Sequence, residues 1–80
     1  MSPEEALLHR QQTALVRSLV QKLPDAYRLP ITLYYSAGLS VAGIAQVLKV
    51  PENTVKSRLH RARKIIRTKL EEMEYEGSEI

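Results

Sequence analysis

The residues best equipped for chemistry lie between Asn53 and Lys69, in the run NTVKSRLHRARKIIRTK. Lys56, Arg58, Arg61, Arg63, Lys64, Arg67 and Lys69 supply positive charge, and no acidic residue falls between Glu52 and Glu71. Ser57 and His60 add neutral hydrogen-bonding groups among them. Lysine and arginine contact phosphates, and arginine also takes guanine through two hydrogen bonds. The chemistry on offer is therefore recognition of nucleic acid and not the making of bonds. Ser57 has no neighbour in sequence that would activate it as a nucleophile. There is no phosphate loop and no pair of carboxylates on a concave scaffold, so the expectation is a protein that is not an enzyme and uses no cofactor. Without cysteine there is neither a disulfide nor a cysteine-based zinc site, and His9 and His60 stand far apart with no partner cluster.

A helix must carry these groups. From Val55 the apolar residues run Val55, Leu59, Ala62, Ile66 and Leu70, a single stripe at steps of four, three, four and four. At about 100° per residue, Ser57, His60, Arg61 and Lys64 fall opposite that stripe, with Lys56 and Arg63 flanking one side. A run of charge alone also suits an ordinary solvated helix face. The preceding segment argues against that plainer reading. Ser40 is a good N-cap for a short helix in which Ile44, Ala45, Val47 and Leu48 recur at helical spacing. Pro51 cannot continue that helix but suits the first position of the next, with Asn53 and Thr54 as further cap candidates. Two helices joined by so short a turn suit a helix-turn-helix, whose second helix is the reader.

The rest of the chain supplies packing. Ser2-Pro3-Glu4-Glu5 is a strong helix opening. Ala6, Leu7, Ala14, Leu15, Leu19 and Leu23 make an apolar face, widened by Val16 and Val20, for a first helix over about 3–22. Leu23-Pro24-Asp25 ends it and starts a second, over about 24–37, in which Tyr27, Ile31, Tyr34 and Tyr35 provide bulk. Pro30 is awkward inside that helix, where it removes the bond to the Ala26 carbonyl and favours a kink. Tyr27 and Tyr35 read as core groups, since no aromatic accompanies the basic helix to stack on single-stranded bases. Gly38 marks the helix exit in a left-handed conformation. Glu74 to Ile80 read as a frayed acidic tail.

Eighty residues of which 44% are hydrophobic bound the answer to one small domain, 1–80, with a modest shared core. The formal net charge of +3 understates an asymmetry, because the basic residues crowd the last helix and Glu71, Glu72, Glu74, Glu76 and Glu79 follow at once. A basic face with an acidic tail suits nucleic-acid binding with the tail outside the contact. No signal peptide or long apolar run is present, so a soluble, cytoplasmic protein is expected. The fold class expected is all-α, four helices with a C-terminal helix-turn-helix.

Three stretches carry a family resemblance: Leu23-Pro24-Asp25-Ala26-Tyr27-Arg28; Gly38-Leu39-Ser40 with Ile44-Ala45; and Pro51-Glu52-Asn53-Thr54-Val55-Lys56-Ser57-Arg58-Leu59-His60-Arg61-Ala62-Arg63. Over about 23–70 the chain resembles region four of a bacterial RNA polymerase sigma factor, of the extracytoplasmic-function group. The resemblance implies binding of double-stranded DNA at the promoter −35 element in transcription initiation. The partners it implies are the beta-flap of core RNA polymerase and, often, an anti-sigma factor. Carried over by position, it makes Lys56, Ser57, His60 and Arg61 base-reading candidates. Asn53, Thr54, Arg58, Arg63 and Lys64 become candidates for phosphate contact or support, with Arg28 contacting phosphate from the flank; Arg58 also fits a structural role. The chain departs from the pattern at Gly43, where the family usually has Glu, and at Lys49, where it usually has Gly; either Lys49 takes a left-handed turn position at some cost or the turn differs in detail. The promoter-melting half of a sigma factor has no counterpart here, which suits a fragment or a stand-alone accessory protein. Two other readings compete: a response-regulator-type helix-turn-helix output domain, and an interaction module whose basic helix binds an acidic partner.

Overall fold

The computed structural model describes the backbone of residues 14–78 and the side chains of residues 14–73. Among them are four helices and no strand: α1 (Ala14–Gln21), α2 (Asp25–Tyr35), α3 (Val41–Leu48) and α4 (Glu52–Ser78). The expected helix opening at Ser2-Pro3 and the apolar positions Ala6 and Leu7 lie outside the described residues. The all-α expectation holds, and each boundary has a local cause.

α1 buries Val16 and Leu19, and Leu23 follows them inward just past its end. Its buried stripe is narrower than the sequence reading drew it, because Ala14 is exposed and Leu15 is 45% exposed. At 100° per residue Leu15 stands on the flank of a face centred on Val16, Leu19 and Leu23, and only that face meets a partner. The helix closes with short-range bonds from Lys22 N–H to Leu19 O (3.2 Å) and Leu23 N–H to Val20 O (3.1 Å).

α2 begins one residue later than the sequence suggested and ends two residues sooner. Pro24 caps it through its carbonyl, which accepts from Tyr27 (2.9 Å) and Arg28 (2.8 Å). Proline needs no amide partner here, and Asp25 in the first turn complements the helix dipole. Pro30 sits inside α2 without ending it and is fully buried with Ile31, so its ring fills core in place of the amide bond it forfeits. The exit wraps back on itself, as Ala37 donates to Thr32 O and Leu39 to Leu33 O. Gly38 takes φ +73° there, the left-handed turn expected of it, with no heavy atom near a Cβ it might carry.

Ser40 caps α3 as read from the sequence, its Oγ accepting from Gly43 N–H at 3.0 Å. Ile44 is fully buried, Ala45 and Leu48 half-buried, and Val47 is 58% exposed, so the inward face of α3 is narrower than its composition. Lys49 ends the helix in the left-handed region at φ 58°, ψ 48°, its amide donating to Ala45 O. Val50 donates to the same carbonyl, and Pro51 follows. Glu52 then opens α4, with the Pro51 carbonyl receiving Thr54 (3.0 Å) and Val55 (3.2 Å). Asn53 and Thr54 therefore stand within the first turn of α4 and do not cap it. The proline carbonyl has already nucleated the helix one residue ahead of them.

α4 is 27 residues, about 40 Å at 1.5 Å per residue. Val55, Leu59, Ala62 and Ile66 are each at most 2% exposed and join Val16, Leu19, Leu23, Ile31 and Ile44 in one core. Leu70 is half-buried at the end of the stripe. The backbone stays helical to Ser78, further than the frayed tail read from Glu74. Arg67–Glu71 and Lys69–Glu72 pairs lie along the turns that lead into this extension, in the i, i+4 and i, i+3 spacing that supports an exposed helix.

Candidate nucleic-acid interface

The stripe determines what the other side of α4 presents. With Val55, Leu59, Ala62 and Ile66 turned into the core, Ser57, His60, Arg61 and Lys64 project outward, and all four are exposed, as is Lys56. Asn53 is exposed and Thr54 half-buried at the front of the helix. The short Lys49-Val50-Pro51 connection places α3 against the same helix, giving the helix-turn-helix pair. A convex helix face with exposed cations and a buried back can enter a groove about 12 Å wide.

The basic residues do not behave alike. Of the seven cations between Lys56 and Lys69, Arg58, Arg63 and Arg67 are half-buried and the other four exposed. They flank the apolar stripe, where long arginine stems lie along neighbouring helices. Arg58 borders Ala26 and Tyr27 at the start of α2, in an open groove shared with Asn53, Thr54, Ser57 and Arg61. Arg63 donates from Nε to the Tyr35 hydroxyl at 2.9 Å, with its guanidinium carbon 5.7 Å from the Tyr34 ring centre and 5.8 Å from that of Tyr35. Arg67 lies 3.7 Å from a Glu71 carboxylate oxygen.

α2 supplies the remaining wall. Tyr27 is half-buried, so the core role read for it is only partial, and it borders Arg61 and Lys64. Arg28 is half-buried and pairs with Asp25 one turn earlier, which holds its guanidinium beside the opening of α2. Tyr35, also half-buried, contributes its ring to the core margin and its hydroxyl to Arg63. The Arg63–tyrosine contact escaped the sequence reading, because residues 28 positions apart in the chain carry no periodic signal that joins them.

Among the described residues no three His, Cys, Asp or Glu side chains gather as a metal site. No helix among them is long and apolar enough to cross a membrane.

Comparison with known proteins agrees with this architecture. The family model described as "Sigma-70, region 4" matches residues 13–66. The chain is 37% identical over 71 residues to the ECF RNA polymerase sigma factor SigW of Bacillus subtilis, covering 89% of this chain and 38% of that protein. It is 43% identical over 65 residues to the RNA polymerase sigma-H factor of Pseudomonas aeruginosa, covering 81% and 34%. With the ECF RNA polymerase sigma-E factor of Escherichia coli it shares 36% identity over 70 residues, covering 88% and 37%. The chain thus spans less than two-fifths of the length of these relatives. Helix-turn-helix, basic outer face and matched residues converge: the chain belongs to the sigma-70 region 4 family, within the ECF group.

Proposed function

We propose that this chain binds double-stranded promoter DNA at the −35 element during transcription initiation, as the region 4 domain of an ECF sigma factor. The observation that carries the reading is the exposed row Ser57, His60, Arg61 and Lys64 on a helix whose opposite side is fully buried. A helix so anchored keeps this row on its solvent side. In this reading Lys56, Ser57, His60 and Arg61 meet base edges from the front of α4. Asn53, Thr54 and Lys64 contact phosphate beside them, Arg28 reaches phosphate from α2, and Arg58 supports the reading helix against Tyr27. Core RNA polymerase, through its beta-flap, is the protein partner, and an anti-sigma factor is the natural regulator of such a domain.

The chain alone should bind DNA weakly. It has one short reading helix, and holding it on the polymerase beside other promoter contacts raises its effective concentration. The test is a footprint on promoter DNA with core polymerase, joined to a duplex titration against salt. Protection near −35 and an affinity that falls steeply with salt support the proposal. Nanomolar specific binding by the isolated chain at physiological salt contradicts the weak-binding part. Salt-insensitive or absent duplex binding, with retained binding to an acidic protein, favours the interaction-module reading instead.

A further inference from the structure

α2 crosses α4 so that its two ends meet opposite sides of the apolar stripe. Its first turn, at Tyr27, borders Arg61, Lys64 and Ile65, on the side of the outward face. Its last turn, at Tyr34 and Tyr35, meets Arg63 on the other side. Arg63 follows the fully buried Ala62 by one residue, about 100° around the helix, while Lys64 lies a further 100° on. Arg63 therefore stands at the border between the core and the outward face. Three contacts converge on it: the 2.9 Å bond to the Tyr35 hydroxyl, and the faces of two tyrosines whose rings meet edge-on at 4.9 Å and 69°. Both ring distances are within the roughly 6 Å over which a cation is held by an aromatic face. The rings belong to the last two residues of α2, immediately before the chain turns at Gly38 into the helix-turn-helix.

We propose that Arg63 with Tyr34 and Tyr35 is a clamp that sets the rotation of α4 about its own axis, and so decides which side chains of that helix enter the groove of DNA. Arg63 is then a positioning residue and not one that touches phosphate. The apolar stripe sets which side of α4 is buried but, being non-directional, does not by itself single out one rotation. A guanidinium bonded through Nε to one tyrosine and held near the faces of two rings has far fewer orientations open to it. Lysine cannot replace it, since an ammonium has no plane and no Nε–H in that place. Turning α4 by even a small angle swings Ser57, His60 and Arg61 relative to base edges, yet leaves the total positive charge near phosphate unchanged. The clamp should therefore govern discrimination between sequences and leave charge-driven affinity alone. This rests on the DNA-binding reading above, and its test is built to separate the two.

Arg63→Lys, Tyr35→Phe and the double variant are compared with the unaltered chain. The probes are a duplex enriched by that chain from a randomised pool and a scrambled duplex of the same composition, each titrated at several salt concentrations. Thermal unfolding of all four proteins is measured without DNA. The expected result is a loss of about 3- to 10-fold in the specific-to-scrambled ratio for either single variant, with the double variant no worse than the singles. Scrambled binding and the salt slope should stay as they were, and the unfolding data should show the two positions coupled. A silent Tyr35→Phe overturns the clamp. A further variant, Arg63→Ala, is titrated on the same two duplexes; if it weakens both equally while lowering the salt slope by about one, the mark of a lost phosphate contact, the clamp is overturned as well. If the unaltered chain enriches no sequence and binds neither duplex, the DNA-binding reading fails, even where the unfolding cycle still shows Arg63 and Tyr35 coupled. If duplex binding stands and the unfolding cycle shows no coupling, the clamp alone fails.

Discussion

The two faces of α4 share one backbone and obey different rules. On the inner face Val55, Leu59, Ala62 and Ile66 are almost wholly removed from water, and their value lies in the area they bury. On the outer face Ser57, His60, Arg61 and Lys64 are solvated and contribute little to folding. The inner face seats the helix on the core, and the outer face is left to solvent. On the proposed function, recognition is carried by groups that the fold can do without, held in register by groups that DNA never touches. Between the two faces stand Arg58 and Arg63, half-buried cations that belong wholly to neither.

This division can be broken deliberately. Leu59→Ala should cost about 2–5 kcal/mol of stability, because it opens a cavity where α4 packs on the rest of the core. For a domain this small that is a large share of the total, and DNA binding should fall with it. An unchanged melting temperature would mean that the inner face has been assigned wrongly. Arg61→Ala should do the opposite, leaving the melting temperature alone and costing about 1–3 kcal/mol of binding on the preferred duplex, less on a scrambled one. A competition assay at fixed salt reads this directly.

Smaller changes sharpen the contrast. Lys49→Gly alters neither face and relieves a side chain held at φ 58°. The strain of a left-handed residue exceeds the extra chain entropy of glycine, so stability should rise by about 0.5–1 kcal/mol. A thermal scan should register that as a few degrees, with duplex discrimination unaltered; a lower melting temperature would show that the Lys49 side chain contributes more than its backbone costs. The smallest effect is expected from Arg67→Ala. Arg67 lies roughly 16 Å along the helix from Lys56, beyond the width of a major groove, and stands beside Glu71. Its loss should weaken all duplexes slightly and equally. A selective loss of the preferred sequence here, with Arg61→Ala neutral, would move the reading surface to the C-terminal half of α4.

Much of this was legible before any coordinates. The stripe on α4, the Ser40 cap, the left-handed turn at Gly38 and the outward Ser57, His60, Arg61 and Lys64 are all local statements. They follow from helical period and from the preferences of single residues, which act within a turn or two. Leu15 and Val47 failed the same logic. Hydrophobicity marks a residue that can be buried, whereas burial needs a partner, and the width of the partner's face is not written in the helix that meets it.

Sequence by itself thus determined the four helices among the described residues, their order, the helix-turn-helix pair and the sign of the outer charge on α4, because each is encoded by neighbours along the chain. Tertiary structure alone decided the angle at which α2 crosses α4. With that angle came the partial burial of Tyr27 between two grooves, the seat of Pro30 in the core and the meeting of Arg63 with Tyr34 and Tyr35. The physical reason is that such contacts depend on the packing of whole helices, a balance of many small apolar terms. Arg63 looks in sequence like any other cation of its helix, and only its distant tyrosines set it apart.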